Sequence, residues 1–222
     1  LRDPAGSATG NTAPLLGEPK PVEHAVKFYE KGDRPLEFVQ TRQWFVRLLD
    51  KKQALLDKGE QIRWHPDFMK VRYRDWTEGL QLDWCISRQR YFGVPSPVWY
   101  PVGGEGKPGY ANPIGGSREQ LPIDPMSDVP LGYTAEQRDQ PGGFAGESDI
   151  FDTWFTSSLT PQIGSHWELD EARHAKLFPA DIRPQSHEII RTWAFYTIAK
   201  ALLHEDRIPW KNVLISGWVL DP

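Results

Sequence analysis

Cysteine is almost absent from the 222 residues; Cys85 is the only one. A single thiol cannot form a disulfide within the chain, and a thiolate zinc cage, which needs at least two such ligands, is excluded. This usage fits a reducing compartment, so a cytoplasmic setting is expected. Long apolar runs are missing as well. No stretch approaches the roughly 20 continuous apolar residues of a membrane-spanning helix, and the first residues carry no apolar core of a secretory leader, so no membrane contact is expected. Excess positive charge is also lacking. With a formal net charge of −4 there is no global basic field, and any nucleic acid must meet a local patch or a part of the protein outside this chain.

What the chain has in quantity is rigid and aromatic: ten tryptophans and twenty prolines. These suggest aromatic-rich pockets joined by stiff, irregular connections. Apolar residues at 39% and charged residues at 25% are ordinary for a globular protein long enough to bury a core.

Residues 1–20 have no periodicity and read as a loop or arm. Between Val22 and Phe38 the short alternation of Val26, Phe28, Leu36 and Phe38 around Glu30-Lys31-Gly32-Asp33-Arg34-Pro35 predicts two strands and a turn. From Trp44 to Lys58, helical spacing of Phe45, Leu48, Leu49, Lys52, Leu55 and Leu56 predicts a helix ended by Gly59. A weaker helix is expected over 67–79, with Phe68, Val71, Arg72 and Trp76 on one side. Asp83 to Gly93 mixes a polar Ser87-Arg88-Gln89 core with flanking aromatics, and Val98-Trp99-Tyr100 reads as a strand. Residues 101–147, rich in Gly and Pro, form an excursion. Gly104, Gly106 and Gly109 fit a dinucleotide-binding spacing, but Pro108 interrupts it and no amphipathic helix follows. His187-Glu188 begins like a zinc-protease helix, yet Arg191 stands where the second histidine belongs. No metal site is expected.

The segment Glu147 to Leu159 combines acids, an aromatic pair and hydroxyls. A carboxylate such as Asp149 near an indole such as Trp154 could hold a small zwitterion, charge for the ammonium and ring for the side chain; alternatively the run is a strand whose aromatics fill a core. Further on, Phe178 to Pro184 reads as a short strand, and Ser186 as the N-cap of a helix buried through Ile190, Trp193, Ala194, Thr197, Ile198, Ala201 and Leu202. Val213 to Leu220 is an apolar final strand. Strand, helix and strand over about 40 residues make a parallel crossover unit, whose ligands sit beyond the carboxyl ends of the strands. That puts Ser186–Glu188 and Ser216–Trp218 at one rim.

Four segments resemble one family in order. Asp83-Trp84-Cys85-Ile86-Ser87-Arg88-Gln89 is similar to the DWxISRQ segment of class I aminoacyl-tRNA synthetases for branched aliphatic amino acids. Asp149 to Ser158 resembles the DVxDTWFSS segment of the valyl branch, where the isoleucyl and leucyl branches diverge. Asp181 to Trp193 and Val213 to Asp221 resemble the next strand, helix and strand of the same catalytic fold. The likeness covers roughly residues 40–222. It implies an α/β fold: the second half of a Rossmann-like catalytic domain, a parallel sheet with flanking helices plus an irregular insertion. Residues 1–40 would be the exit from an inserted editing domain, 41–100 the return to the catalytic domain, 101–147 the insertion, and 148–222 the crossover part.

The resemblance also implies function. The family's HIGH signature lies far upstream and its KMSKS loop would follow Pro222, so the chain alone is expected to be inactive and to need the remainder of the same polypeptide. Relatives often carry zinc-binding cysteine pairs near 20–35 and 101–147; this sequence has none there, so zinc is not expected. The implied substrates are valine, ATP with Mg2+ and tRNA(Val). Asp149 would pair with the substrate ammonium, Ile150 and Trp154 would shape the side-chain pocket, and Phe92, usually tryptophan in the family, would face them. Ser186, His187 and Glu188 match a segment, often Gly-x-Asp, that touches the ATP ribose. Gly217, with Trp218 beside it, would let adenine lie against the strand end. Arg88 and Gln89 would support either the pocket or the acceptor end. A pocket sized for valine excludes isoleucine by bulk but discriminates poorly against isosteric threonine, which implies editing by a domain whose core lies outside these residues. Two other readings stand beside this one: a non-catalytic nucleotide- or amino-acid-binding module, and an aromatic-rich carbohydrate-binding domain. The second would be mostly β, against the helices expected at 44–58 and 186–204.

Overall fold

The computed structural model describes residues 20–23, 25–37 and 39–217 and separates into two units, Leu1–Arg42 and Gln43–Pro222. In the first, Phe28 and Pro35 form an antiparallel bridge, with Leu36 N donating to Lys27 O at 2.8 Å and Tyr29 N to Arg34 O at 2.9 Å. The expected pair of strands is therefore present in its shortest form, a bridged turn.

The second unit runs β1 (Phe45–Val46), α1 (Lys52–Gln61), β2 (Arg63–His65), α2 (Lys70–Glu78), β3 (Trp84–Cys85), β4 (Ser87–Arg88), β5 (Val98–Pro101) and β6 (Ile114–Gly115). It continues with β7 (Phe144–Gly146), β8 (Ile150–Phe151), α3 (Thr153–Ser157), α4 (Thr160–Ser165), α5 (Glu171–Leu177), β9 (Ala180–Ser186), α6 (Phe195–Glu205) and β10 (Trp210–Ser216). The centre is a three-stranded sheet in the order β2-β10-β9, with β10 parallel to both neighbours. Phe195, Ile198 and Ala199 of α6 join Val213 and Ile215 of β10, Trp64 of β2 and Tyr73 of α2 in the main core. Of the expected stripe, Ile190, Ala194, Thr197, Ile198 and Ala201 are fully buried, while Trp193 and Leu202 are only half-buried. These helices also dispose of the carbohydrate-binding alternative, which required a mostly β chain.

Two local expectations fail. The predicted helix from Trp44 starts only at Lys52; Phe45 and Val46 instead pair antiparallel with Cys85 and Trp84. The carboxylate of Asp83 accepts from the backbone N–H of Leu48 at 2.8 Å and of Leu49 at 3.1 Å. A side chain distant in sequence thus holds the start of the turn that leads into α1. Gly59 does not end that helix. It lies inside α1, where a Cβ would fall 2.3 Å from Tyr73 Cε1, so its role is to let the α2 ring approach the α1 backbone. The C-terminus of α6 has a more distant anchor. Asp206 takes a left-handed conformation there, and Lys58 Nζ donates to its carbonyl at 2.5 Å, a cation at the negative end of the helix.

The second failure is the buried side of α2. Phe68 and Val71 are 66% and 40% exposed, whereas Met69, Tyr73 and Thr77 are buried. Tyr73 sets this rotation: its hydroxyl donates to Leu55 O at 2.8 Å, and Thr77 Oγ1 donates back to Tyr73 O at 2.8 Å. A test follows from Gly59. Helix propensity alone favours Gly59→Ala by roughly 1 kcal/mol, but overpacking a closed core costs about 1–3 kcal/mol. The Tyr73 ring is buried and bonded, so overpacking wins, and a net loss of about 1 kcal/mol is expected. Thermal melting checks it; a raised midpoint would mean that the ring yields freely.

The 101–147 excursion has a small core of its own. β5 lies between β6 and β7, antiparallel to both, and Trp99, Ile123 and Phe144 are buried together. Trp99 Nε1 donates to Pro125 O and Asp128 O, both at 3.1 Å, and the Arg138 guanidinium binds the same two carbonyls. One indole and one guanidinium thereby tie down a long connection of low periodicity.

Candidate functional site

The carboxyl ends of β9 and β10 lie side by side, Ser186 opposite Ser216, as the crossover reading requires. Ser186 Oγ accepts from Glu188 N at 3.2 Å, capping the 3-10 turn His187–Ile189. His187 is buried and Glu188 exposed. Gly217 follows β10, and among the described residues a Cβ there would meet nothing within 4 Å. Trp218 lies outside the described residues. After the turn the chain makes a π-helix, Ile190–Ala194, before α6; such insertions recur at functional sites. His187, Glu188, Ile190 and Arg191 face Arg72, Asp75 and Trp76 of α2 across an open cleft of about 690 Å3.

The other candidate residues meet where two segments interlock. β4 pairs antiparallel with β8, Ser87 opposite Phe151 and Arg88 opposite Ile150. The chain after Tyr91 then returns along the same segment: Phe151 N donates to Val94 O at 2.8 Å and Ser96 N to Asp149 O at 3.3 Å. Gly93 fits against Ile150, whose Cδ1 would be 2.1 Å from a Cβ at that position.

This interlock braces Asp149. Gln89 Nε2 donates to Asp149 Oδ2 at 2.7 Å and to Gln43 Oε1 at 3.1 Å; the latter oxygen also accepts from Ser87 Oγ at 2.8 Å. Asp149 N donates to Glu147 Oε1 at 2.9 Å. The second oxygen of Glu147 takes the Tyr100 hydroxyl and Trp44 Nε1. Burial, reinforced by that bond to Glu147, pushes the Tyr100 phenol above its ordinary range. Arg88 points its charge elsewhere: Nη2 is 3.3 Å from Asp152 Oδ1. Asp152 is buried and stands where the N-cap of α3 belongs, yet its side chain makes no cap bond and instead accepts from Trp84 Nε1 at 3.4 Å.

Arg88, Gln89, Asp149 and Ile150 are thus brought together. Trp154 sits at the start of α3, partly buried against the main core, while the Phe92 side chain is 92% exposed. The support from Gln43, Glu147 and Asp152 was not anticipated in the sequence, nor was the convergence of Arg72, Trp76 and Arg191. None of these follows from periodicity, because each depends on pairing between distant short segments. Among the described residues no group of three or more His, Cys, Asp or Glu side chains could hold a metal ion. Among those residues, too, no helix is long and apolar enough to cross a membrane.

The structure thus combines a parallel crossover sheet, an open cleft at its carboxyl rim and the two interlocked segments. The chain belongs to the tRNA synthetases class I (I, L, M and V), whose family model matches residues 20–222. Within that family it is similar to valine–tRNA ligases. It is 53% identical over 212 residues to the enzyme of Salinispora arenicola (strain CNS-205), covering 94% of this chain and 25% of that protein. Against the enzyme of Thermobifida fusca (strain YX) it is 51% identical, over 94% of this chain and 24% of that protein. The chain therefore spans about a quarter of the length of the curated relatives it matches. A crystal structure of Agrobacterium radiobacter K84 agnB2 LeuRS, in ternary complex with tRNA and LeuAMS, aligns with a TM-score of 0.47 and 25% identity, over 63% of this chain and 20% of that one.

Proposed function

We propose that this chain is the second half of the catalytic domain of a cytoplasmic valine–tRNA ligase. The full-length protein would join valine to ATP, the valine carboxylate attacking the α-phosphorus with release of pyrophosphate. It would then pass the valyl group from the adenylate to the 3′ end of tRNA(Val). No side-chain nucleophile is required. The work is alignment of two substrates and stabilisation of charge on the transferring phosphoryl group.

The observation that carries this reading is the bracing of Asp149 by Gln89 on the β4–β8 interlock, within segments similar to those of valine–tRNA ligases. A carboxylate whose position is fixed before binding loses little entropy on taking an ammonium. Asp149 would hold the amino group, with Ile150, Trp154 and Phe92 enclosing the isopropyl group. Gln89 would act as a positioning residue for Asp149, and Arg88 as one for Asp152 at the start of α3. At the sheet rim, Glu188 would accept the ribose hydroxyls of ATP, Ser186 and His187 would shape the turn that presents it, and Gly217 and Trp218 would border the adenine. The magnesium that accompanies ATP would neutralise phosphate charge. The rest of the polypeptide completes the site, and the chain by itself is expected to be inactive.

Amino-acid-dependent ATP–pyrophosphate exchange by the full-length protein tests this reading. Exchange is expected with valine, weaker exchange with threonine and very little with isoleucine. An enzyme driven best by isoleucine or leucine would overturn the assignment.

A further inference from the structure

Gln89 braces the Asp149 side chain, and a second carboxylate holds the same residue by its backbone. Asp149 N donates to Glu147 Oε1 at 2.9 Å, which fixes the peptide that carries the Asp149 side chain. Glu147 Oε2 accepts from Trp44 Nε1 at 3.0 Å and from the Tyr100 hydroxyl, and Trp44 Nε1 also donates to that hydroxyl oxygen at 3.1 Å. One half-buried carboxylate therefore takes three donors from three segments. Tyr100 is buried; burial and the bond to Glu147 push its phenol up, so the hydroxyl keeps its proton and remains a donor. Trp44 is tied to the pocket segments in turn. Its backbone N–H donates to Ser87 Oγ at 2.9 Å, and its carbonyl accepts from Ile86 N at 2.9 Å.

The remaining support comes from the 101–147 excursion. β5 and β7 are the strands at its base, with Trp99 opposite Gly146 and Tyr100 opposite Ala145. Glu147 N continues the pairing by donating to Val98 O at 2.9 Å. A Cβ at Gly146 would fall 2.3 Å from Pro125 O, so the excursion's backbone presses against the residue just before Glu147. A long connection with its own buried core thus ends on the carboxylate beside Asp149.

We propose that Glu147 is a positioning residue for Asp149, and that the 101–147 excursion, through Tyr100 and the β5–β7 pairing, holds the amino-acid pocket in its binding geometry. The inference rests on the ligase reading through the ammonium contact of Asp149. Its physical basis is that Glu147 must present an acceptor oxygen at both ends. An amide has only one, so Glu147→Gln turns an NH2 group either towards the Asp149 N–H or towards the Tyr100 and Trp44 donors. It also replaces charge-assisted hydrogen bonds with weaker neutral ones.

In the full-length protein, ATP–pyrophosphate exchange is measured with the wild type, Glu147→Gln, Tyr100→Phe, Asp149→Ala and each of the first two combined with Asp149→Ala. Glu147→Gln is expected to raise the KM for valine about 3- to 10-fold, less than direct loss of a charged hydrogen bond would, with the KM for ATP near its wild-type value. Tyr100→Phe keeps the ring and should raise the valine KM about threefold, the scale of one hydrogen bond. In the Asp149→Ala background both substitutions are expected to shift it by less than about twofold, because a residue that acts through Asp149 has nothing left to position. A role in stability alone would act equally with and without that carboxylate. Rises of the same size in both backgrounds would overturn the proposal, as would an equal rise in the KM for ATP. So would a valine KM within about twofold of wild type in each single variant that folds. Failure of the ligase reading would look different: the wild-type protein itself would show no valine-dependent exchange.

Discussion

Asp149→Ala is expected to raise the KM for valine in ATP–pyrophosphate exchange by about 10- to 100-fold, the cost of one hydrogen-bonded charge contact. The KM for ATP should stay near its wild-type value. The carboxylate is partly buried and fixed by Gln89 at 2.7 Å, so its loss leaves a substrate ammonium without a counter-charge and Gln89 without an acceptor. If the contact is equal in the ground and transition states, kcat stays nearly constant while KM rises; a matched fall in kcat would place the contact in the transition state alone. Asp149→Asn keeps the shape and an acceptor oxygen but not the charge, and should lose most of the same affinity. Gln89→Ala should have a smaller effect, because it frees the carboxylate without removing it. Exchange that depends on valine equally in Asp149→Ala and wild type would take Asp149 out of the amino-acid pocket.

Much of this arrangement is legible in the sequence for a physical reason. α6 and β10 each bury a regular apolar pattern, at helical spacing in α6 and by alternation in β10, and such patterns report one neighbour on one side; β9 buries only Gln185. Ile190, Ala194, Thr197, Ile198 and Ala201 are therefore buried where their spacing puts them. β2 escapes because it is three residues long and its partner, β10, lies about 150 positions away; Arg63 pairs with Asn212. The π-turn escapes because a single extra residue leaves the apolar spacing around it almost intact. The buried face of α2 and of the turn before it is not legible because the two large exposed residues, Phe68 and Val71, outweigh the buried Met69 and Thr77 in any count of hydrophobicity.

The site divides in the same way. Likeness of segments leaves Gln89 either at the pocket or at the acceptor end, and spacing cannot choose, because β4 and β8 are two-residue strands, too short to show a period; the bond to Asp149 is visible only in the fold. The supporting residues Gln43, Glu147 and Asp152 gave no signal, since polar side chains that serve a neighbour look like ordinary surface in a one-dimensional reading. Asp152 is the clearest case. It precedes a short helix as an N-cap should, and only the fold reveals that Arg88 and Trp84 take its carboxylate.

Lys200 is where a stability prediction is sharpest. It is only 5% exposed, with neighbours Ile198, Ala199 and Ala201 fully buried, and its ammonium lies 3.6 Å from the centre of the Phe155 ring. Burial pushes its pKa down to about 8, since an ammonium stripped of water is disfavoured more than the neutral amine. In the unfolded chain the same group keeps its proton to about pH 10.5. Between these values the unfolded state binds more protons, so stability rises with pH from about 8 to about 10.5, and below 8 the full penalty applies. A shift of this size corresponds to about 3 kcal/mol, net of the favourable contact with the Phe155 ring. Lys200→Met keeps the aliphatic stem and removes the charge. It is expected to stabilise the fold by about 1–3 kcal/mol at pH 7, with the gain shrinking towards zero near pH 10.5. Urea unfolding of both proteins at the two pH values checks the sign. A variant no more stable than wild type at pH 7 would mean that the Phe155 contact and local solvation already compensate the buried charge.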